Sequence, residues 1–185
     1  SDNTNPIFQF SLCVPTSAGV IDHAGATSGG TTPALGVLMG IEYVDSGTKK
    51  TTFKNFFPGS NNISIDTNHP VKAFVADNAN QLFKVASDAS LTDRATALAG
   101  VFANASLGTS ARTGSTNTGN SNSALSVSSI ATTATLPLRI VGIMDDEANN
   151  DFTSAGIPLI VRINAHFNAT SSRFDSQTTA TSTGI

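Results

Sequence analysis

The pattern of hydrophobic and polar residues is clearest between residues 134 and 167, where two apolar, β-branched runs flank an acidic, Asn-rich connection. The second run alternates at period two, which predicts a β-strand with one face in a core. The predicted core face consists of Ile157, Leu159, Val161, Ile163, Ala165 and Phe167. The opposite face consists of Ile160, Arg162, Asn164 and His166. We expect His166 to face solvent or a contact surface.

The first run also predicts a strand. Its apolar face consists of Leu136, Leu138 and Ile140. Its mixed face consists of Arg139, Val141 and Ile143. Pro137 lacks a backbone N–H, so it is expected at an edge or at the entry of the strand. The two runs together predict an all-β domain.

Two hairpins are predicted upstream. In the first, residues 35–43 form a strand and residues 51–57 return as its partner after a turn. The expected core face of the first strand is Leu35, Val37, Met39, Ile41 and Tyr43, and the other face is Gly36, Leu38, Gly40 and Glu42. Glycines at these positions indicate a bend or a close backbone approach, as in a sheet that curls towards a barrel. In the second hairpin, residues 71–76 pair with residues 81–86.

One window, residues 91–102, has helical spacing. Ser90 or Thr92 is the expected N-cap, and Gly100 is expected to end the helix. Residues 107–123 are poor in apolar side chains and rich in turn formers, which predicts a long loop.

The domain organisation follows from these patterns. Residues 1–34 are predicted as an N-terminal arm, residues 35–167 as a barrel-like β-domain and residues 168–185 as a C-terminal tail. The arm contains one apolar anchor that needs a groove, in this chain or in another subunit. Residues 53–57 carry more aromatic surface than one strand face can bury. The sequence leaves two interpretations open for these side chains: packing in the core and burial in a subunit interface. The candidate interface residues are Ile7, Phe8, Phe10, Leu12, Phe53, Phe56 and Phe57.

Composition narrows the classes of partner. Charged residues are only 12% of the chain and the net charge is −3. The chain as a whole therefore has no electrostatic attraction for phosphate backbones or anionic membranes. Lysine and arginine do not cluster either, and no apolar run approaches the ~20 residues of a membrane helix. We therefore predict no nucleic-acid partner and no membrane partner.

Candidate chemistry is sparse. Four oxygen-bearing residues alternate as at the start of a Ca²⁺ loop: Asp145, Glu147, Asn149 and Asp151. Such a loop needs Gly at position six and Glu at position twelve, where this chain has Asn150 and Gly156, so a solvated connection and a cation site stay open.

Cys13 could act as a nucleophile only beside a histidine, with His23, His69 and His166 as candidates. No nucleophile elbow, metal-spaced His pair or phosphate loop is present in the sequence. We predict no enzymatic activity, no cofactor and no metal site.

Four segments carry a family resemblance: GVLMGIEYVDSGTKKTTFKNFFPG, VKAFVADNANQLFKV, TGNSNSALSVSSIATTATLPLRIVGI and IPLIVRINAHF. Their order, over residues 35–167, resembles the capsid decoration, or cement, proteins of tailed bacteriophages. The resemblance implies an antiparallel β-barrel or tulip-like β-domain that forms a homo-oligomer, with a trimer expected. It also implies a virion protein on the outer capsid surface that bridges neighbouring major capsid proteins. Other readings are a phage fibre, spike or tail-associated adhesion protein, and a small hydrolase.

Overall fold

The computed structural model describes residues 4–24, 33–108, 113–145 and 151–169. Most of the regular structure in these residues is β, which confirms the all-β class. The strands form two open antiparallel sheets, and the described residues do not close into the expected barrel. The elements are β1 (Leu12–Pro15), β2 (Ile21–His23), β3 (Gly36–Val44), β4 (Thr51–Lys54), β5 (Lys72–Ala76), β6 (Leu82–Ala86), α1 (Arg94–Ala99), β7 (Asn104–Ala105), β8 (Leu138–Ile143) and β9 (Pro158–Ile163).

The first sheet is built around β3. One edge of β3 pairs with β5 along most of its length. The other edge pairs with β1 near the start of β3 and with β4 near its end, and β2 lies beyond β1. The predicted β3–β4 hairpin is therefore confirmed. Residues 12–15 and 21–23 of the predicted arm are strands of this sheet.

The second sheet has the order β6-β9-β8-β7. The predicted pair of long strands, β8 and β9, lies at its centre, and Pro137 directly precedes β8 at its entry. The predicted β5–β6 hairpin is wrong, because β5 pairs with β3 and β6 pairs with β9. Phe83 and Val85 of β6 pack against the core between the sheets, and this long-range burial outweighs the local turn.

A β-bulge in β3 changes which side chains face the core. Leu38 and Gly40 pair with the consecutive residues Val75 and Phe74, so Met39 is an extra residue. The expected alternation is thereby wrong at the bulge. Leu38 is buried and Met39 is 43% exposed, the reverse of the prediction.

Two apolar clusters hold the fold together. The larger lies between the sheets and contains the predicted face of β9, including Leu159 and Val161. The smaller covers the opposite face of the first sheet and contains Cys13, Leu38 and Ile41. The predicted core face of the β9 region is confirmed up to Ala165, whereas Phe167, beyond the end of the strand, is exposed.

His166 is predicted to face solvent or a contact surface, but in the structure its side chain is buried. Its Nδ1 accepts a hydrogen bond from the backbone N–H of Asn168 at 3.0 Å. Asn164 is buried as well, because its side-chain amide donates to the carbonyl oxygens of Ala134 and Leu136 at 3.1 and 3.0 Å. These bonds satisfy polar groups that alternation alone assigns to the surface.

The predicted helix is present but shorter, and its N-cap is Asp93. The Asp93 carboxylate accepts a bond from the Thr96 N–H at 2.7 Å, whereas Thr92 has a φ of +68°, far from an N-cap conformation. Gly100 ends the helix as expected.

Candidate interaction surface

The seven residues predicted for an interface occupy three environments. Ile7, Phe8 and Leu12 are buried within the chain, whereas Phe56 and Phe57 are half-buried. Phe10 and Phe53 are exposed by 51% and 65%. Phe10 and Phe53 are therefore the most accessible of the seven to another molecule.

The apolar anchor of the arm is buried because this chain supplies its groove. Ile7 and Phe57 exchange two backbone hydrogen bonds of 2.8 Å. The Phe8 ring stacks on Phe56 with 5.3 Å between ring centroids and 8° between planes. Gly114 lies against the same ring, which leaves no room for a Cβ at that position. Ile7 and Phe8 therefore pack within this chain, and their place in a subunit or capsid interface stays a prediction.

We define the apolar strip as Phe10, Met39, Phe53 and Phe74. Phe53 on β4 and Phe74 on β5 stack with 6.5 Å between ring centroids. The two strands flank β3, where Phe74 lies opposite Gly40 and Phe53 opposite Glu42. Because Gly40 has no side chain, the two rings can approach each other across β3. Phe74 is 48% exposed.

Phe10 adjoins Met39 at the other end of the strip. Its N–H donates to the carbonyl oxygen of Leu38 at 2.8 Å, and the Gln9 side chain donates to the carbonyl oxygen of Met39 at 2.9 Å. Phe10 has a φ of +68°, an unfavourable conformation for a bulky residue. Such conformations persist where surrounding contacts hold them, often at functional surfaces.

The strip has a polar border and an adjacent groove. Lys72 forms an ion pair with Glu42 at 3.0 Å beside Phe53. A groove of about 610 Å³ separates Phe10 and Met39 from β6. Contiguous exposed apolar side chains with a polar rim are typical of protein interaction sites. The strip is therefore the candidate functional surface.

Cys13 is a poor candidate nucleophile in this structure. Strand pairing places it opposite His23, one of the predicted partners. However, the thiol is fully buried and donates to the carbonyl oxygen of Ser11 at 3.6 Å. Burial raises the pKa of Cys13 to about 12, so the reactive thiolate does not form at neutral pH.

The predicted cation segment is described only at its ends, since Glu147 and Asn149 lie outside the described residues. Asp145 forms an ion pair with Arg94 at 2.6 Å. The Asp151 carboxylate accepts bonds from the Thr153 N–H at 3.0 Å and the Ser154 hydroxyl at 2.7 Å. These bonds lower the pKa of both carboxyl groups. Within the described ranges, no three His, Cys, Asp or Glu side chains converge as a metal site.

Sequence reasoning identified Phe10 and Phe53 but missed Met39 and Phe74. Strict alternation predicts Met39 in the core, because it does not reveal the bulge. The predicted hairpin pairs the strand of Phe74 with β6, so the sequence does not place Phe74 beside Phe53. Gly40, which makes room for the ring pair, was the one available signal.

Comparisons with known proteins give no match: no family model, no curated protein and no solved structure is significantly similar to this chain. In the part of the chain that is described, no helix is long and apolar enough to cross a membrane.

Proposed function

We propose that this chain is a virion structural protein that decorates the outer capsid surface of a tailed bacteriophage. In this role it assembles as a homotrimer and bridges neighbouring major capsid proteins. Its finer fold is then a tulip-like β-domain. Support comes from the resemblance of residues 35–167 to decoration proteins and from the apolar strip. The observation that carries the proposal is the exposed Phe53–Phe74 ring pair.

The ring pair suits a stable protein contact. Covering one phenylalanine contributes about 1.5–3 kcal/mol, and aromatic residues are enriched at the centres of interfaces. The two rings belong to neighbouring strands that both pair with β3, so a partner meets a surface that is already ordered. Pre-organisation of this kind lowers the entropic cost of association.

A decoration protein must hold many identical capsid subunits through modest contacts. A closed homo-oligomer presents the same strip several times, so after one contact forms, the others form at a high effective concentration. Low surface charge is compatible with this role, because adhesion then depends weakly on salt.

The test compares a double variant in the apolar strip with a control variant outside it. Phe53→Ser/Phe74→Ser removes the ring pair, and Leu98→Ser removes a side chain that is 51% exposed on α1, outside the strip. Sedimentation with capsids that lack the protein measures binding, and analytical ultracentrifugation measures oligomeric state. We expect the double variant to lose at least tenfold in capsid affinity or to dissociate, with Leu98→Ser unchanged.

Equal binding and equal oligomeric state for both variants would contradict the proposed surface. Labelling of the tail instead of the shell, or binding to a saccharide, would favour the fibre, spike or tail-associated adhesion protein. Turnover of a substrate that is lost in Cys13→Ser would favour the hydrolase.

A further inference from the structure

The first sheet has a pocket of about 320 Å³ on the face opposite the apolar strip. Leu38 and Ile41 of β3 are buried and form its floor. Ala73 of β5 also lines the pocket and lies opposite Ile41 in the strand pairing. Because successive residues of a strand point to opposite faces, Phe74 points to the other side, where the strip lies. The pocket and the strip are therefore separate surfaces.

Two chain segments form the walls of the pocket. One is residues 19–21, which comprise the end of the turn after β1 and the first residue of β2. A backbone hydrogen bond of 2.7 Å from the Thr16 N–H to the carbonyl oxygen of Val20 closes this turn. The other wall lies within residues 57–71 and contributes four apolar side chains, including Ile65. With walls on two sides and a sheet as its floor, the pocket can surround a small molecule.

The lining of the pocket is chemically uniform. Among the described residues, those that line it are all isoleucine, valine, leucine, phenylalanine, proline, alanine or glycine. Such side chains offer water no hydrogen bond, so water in contact with them is easily displaced. Apolar cavities in proteins accordingly bind apolar molecules such as benzene. The lining therefore favours a ligand that is itself apolar.

The charged residues next to the lining in sequence are engaged elsewhere. Lys72 lies between two lining residues and forms an ion pair with Glu42 at 3.0 Å. Asp66, next to a wall residue, accepts from the Lys49 ammonium at 2.9 Å. Asp22 accepts from the backbone N–H of the following residue at 2.6 Å. An ionic ligand would have to disrupt one of these contacts to gain a counter-charge, whereas a neutral ligand would not.

The volume of the pocket limits the size of the ligand. A cavity of about 150 Å³ holds benzene. This pocket, at about 320 Å³, has roughly twice that volume, so a molecule with two fused rings matches its size. A peptide segment suits it less, because a peptide brings backbone N–H and C=O groups that the apolar side chains of the lining cannot pair.

We propose that this pocket is a binding site for a small, neutral, apolar molecule of about the size of two fused rings. The ligand rests on Leu38 and Ile41 and lies between the turn after β1 and the wall that contains Ile65. The apolar strip stays uncovered, because none of its four residues lines the pocket. The inference is independent of the capsid role.

Methyl-resolved NMR of the full-length chain, titrated with naphthalene, tests this site. The methyl signals of Ile41 and Ile65 should shift and saturate, and the signal of Ile163, which lines the groove beside β6, should not move. The charged analogue 2-naphthoate should bind at least about tenfold more weakly. Ala73→Leu extends a side chain into the pocket from its exposed rim and should weaken naphthalene binding by a similar factor. Ala86→Leu, at an exposed strand position outside the pocket, is the matched control and should bind like the wild type.

Three results would overturn the proposal. One is the absence of a saturable shift at Ile41 and Ile65, and another is a shift confined to Ile163 and the groove. The third is equal binding of naphthalene and 2-naphthoate to the wild-type chain, a comparison that does not depend on how any variant folds. Capsid binding and oligomeric state should be the same for Ala73→Leu and the wild type, so failure of this site is distinct from failure of the proposed function.

Discussion

The two sheets differ in how completely they bury their large apolar residues. In the second sheet, the inward side chains of β9 are all in the core between the sheets, from Ile157 to Ile163. In the first sheet, β4 and β5 carry Phe53 and Phe74, which are 65% and 48% exposed. The second sheet therefore contributes much of the buried apolar core, and the first sheet carries the proposed contact surface.

The largest expected effect is in the core of the second sheet. Leu159→Ala should lower the free energy of unfolding by about 2–5 kcal/mol, because it removes a buried side chain and leaves a cavity. Leu159 is 1% exposed and belongs to the cluster between the sheets. Guanidinium denaturation measures the change. A loss below about 1 kcal/mol would break the comparison between the sheets.

A smaller loss is expected at the close approach of β3 and β5. A Cβ at Gly36 would overlap the backbone carbonyl oxygen of Ala76, so Gly36→Ala should destabilise by about 1–3 kcal/mol. Gly142 in the second sheet has no atom within 4 Å of the equivalent position, so Gly142→Ala is the matched control. Melting temperatures of the two variants check this. A similar decrease in both would contradict the close approach.

Acid sensitivity should reside partly in the loops of the first sheet. Asp66 accepts from the Lys49 ammonium at 2.9 Å and the Asn68 N–H at 3.0 Å, and these bonds lower its pKa. A carboxyl group whose pKa is lower in the folded state stabilises the fold above its unfolded pKa, and that stabilisation is lost as pH falls through the folded value.

Asp66→Asn should therefore flatten the decline in stability below about pH 4, the ordinary pKa of aspartate. Denaturation midpoints between about pH 2 and 6 measure the profiles of the wild type and of Asp66→Asn. Identical profiles for wild type and Asp66→Asn would refute this assignment.

The smallest effect should be at the exposed rings. Phe53→Ser removes a side chain that is 65% exposed, so the free energy of unfolding should change by no more than about 0.5 kcal/mol. The same denaturation assay as for Leu159→Ala gives a direct comparison of the two sheets. A loss of 2 kcal/mol or more would show that Phe53 is part of the core, as in the interpretation that sequence left open.

Local patterns predicted the local parts of the fold. The alternation from Ile157 to Ile163 was enough to define a face of β9, and the turn after Tyr43 was enough to predict the β3–β4 hairpin. The sequence did not predict that β5 and β6 belong to different sheets. Their separation depends on burial of Phe83 and Val85 against strands that are distant in the sequence. Met39 was misplaced for a different reason, since one extra residue reverses the period without any change in composition.

The candidate surface was predictable in part. The aromatic residues at positions 53–57 are compatible with core packing and with a subunit interface, and the sequence does not separate Phe8 from Phe10 in the arm. The difference arises from Phe56 and Gly114, which form a place for one ring and not the other. Phe8, Phe56 and Gly114 are far apart in the sequence, so their contact cannot be predicted from local patterns.

The extra residue at Met39 also constrains how this protein can change over generations. Loss of that single codon would restore strict alternation in β3 and turn one half of the strand over relative to the other. In that half, buried side chains would become exposed and exposed side chains would become buried at the same time. Point substitutions at the exposed residues Phe53 and Phe74 leave this alternation intact, so the exposed surface can vary while the length of the strand stays constant.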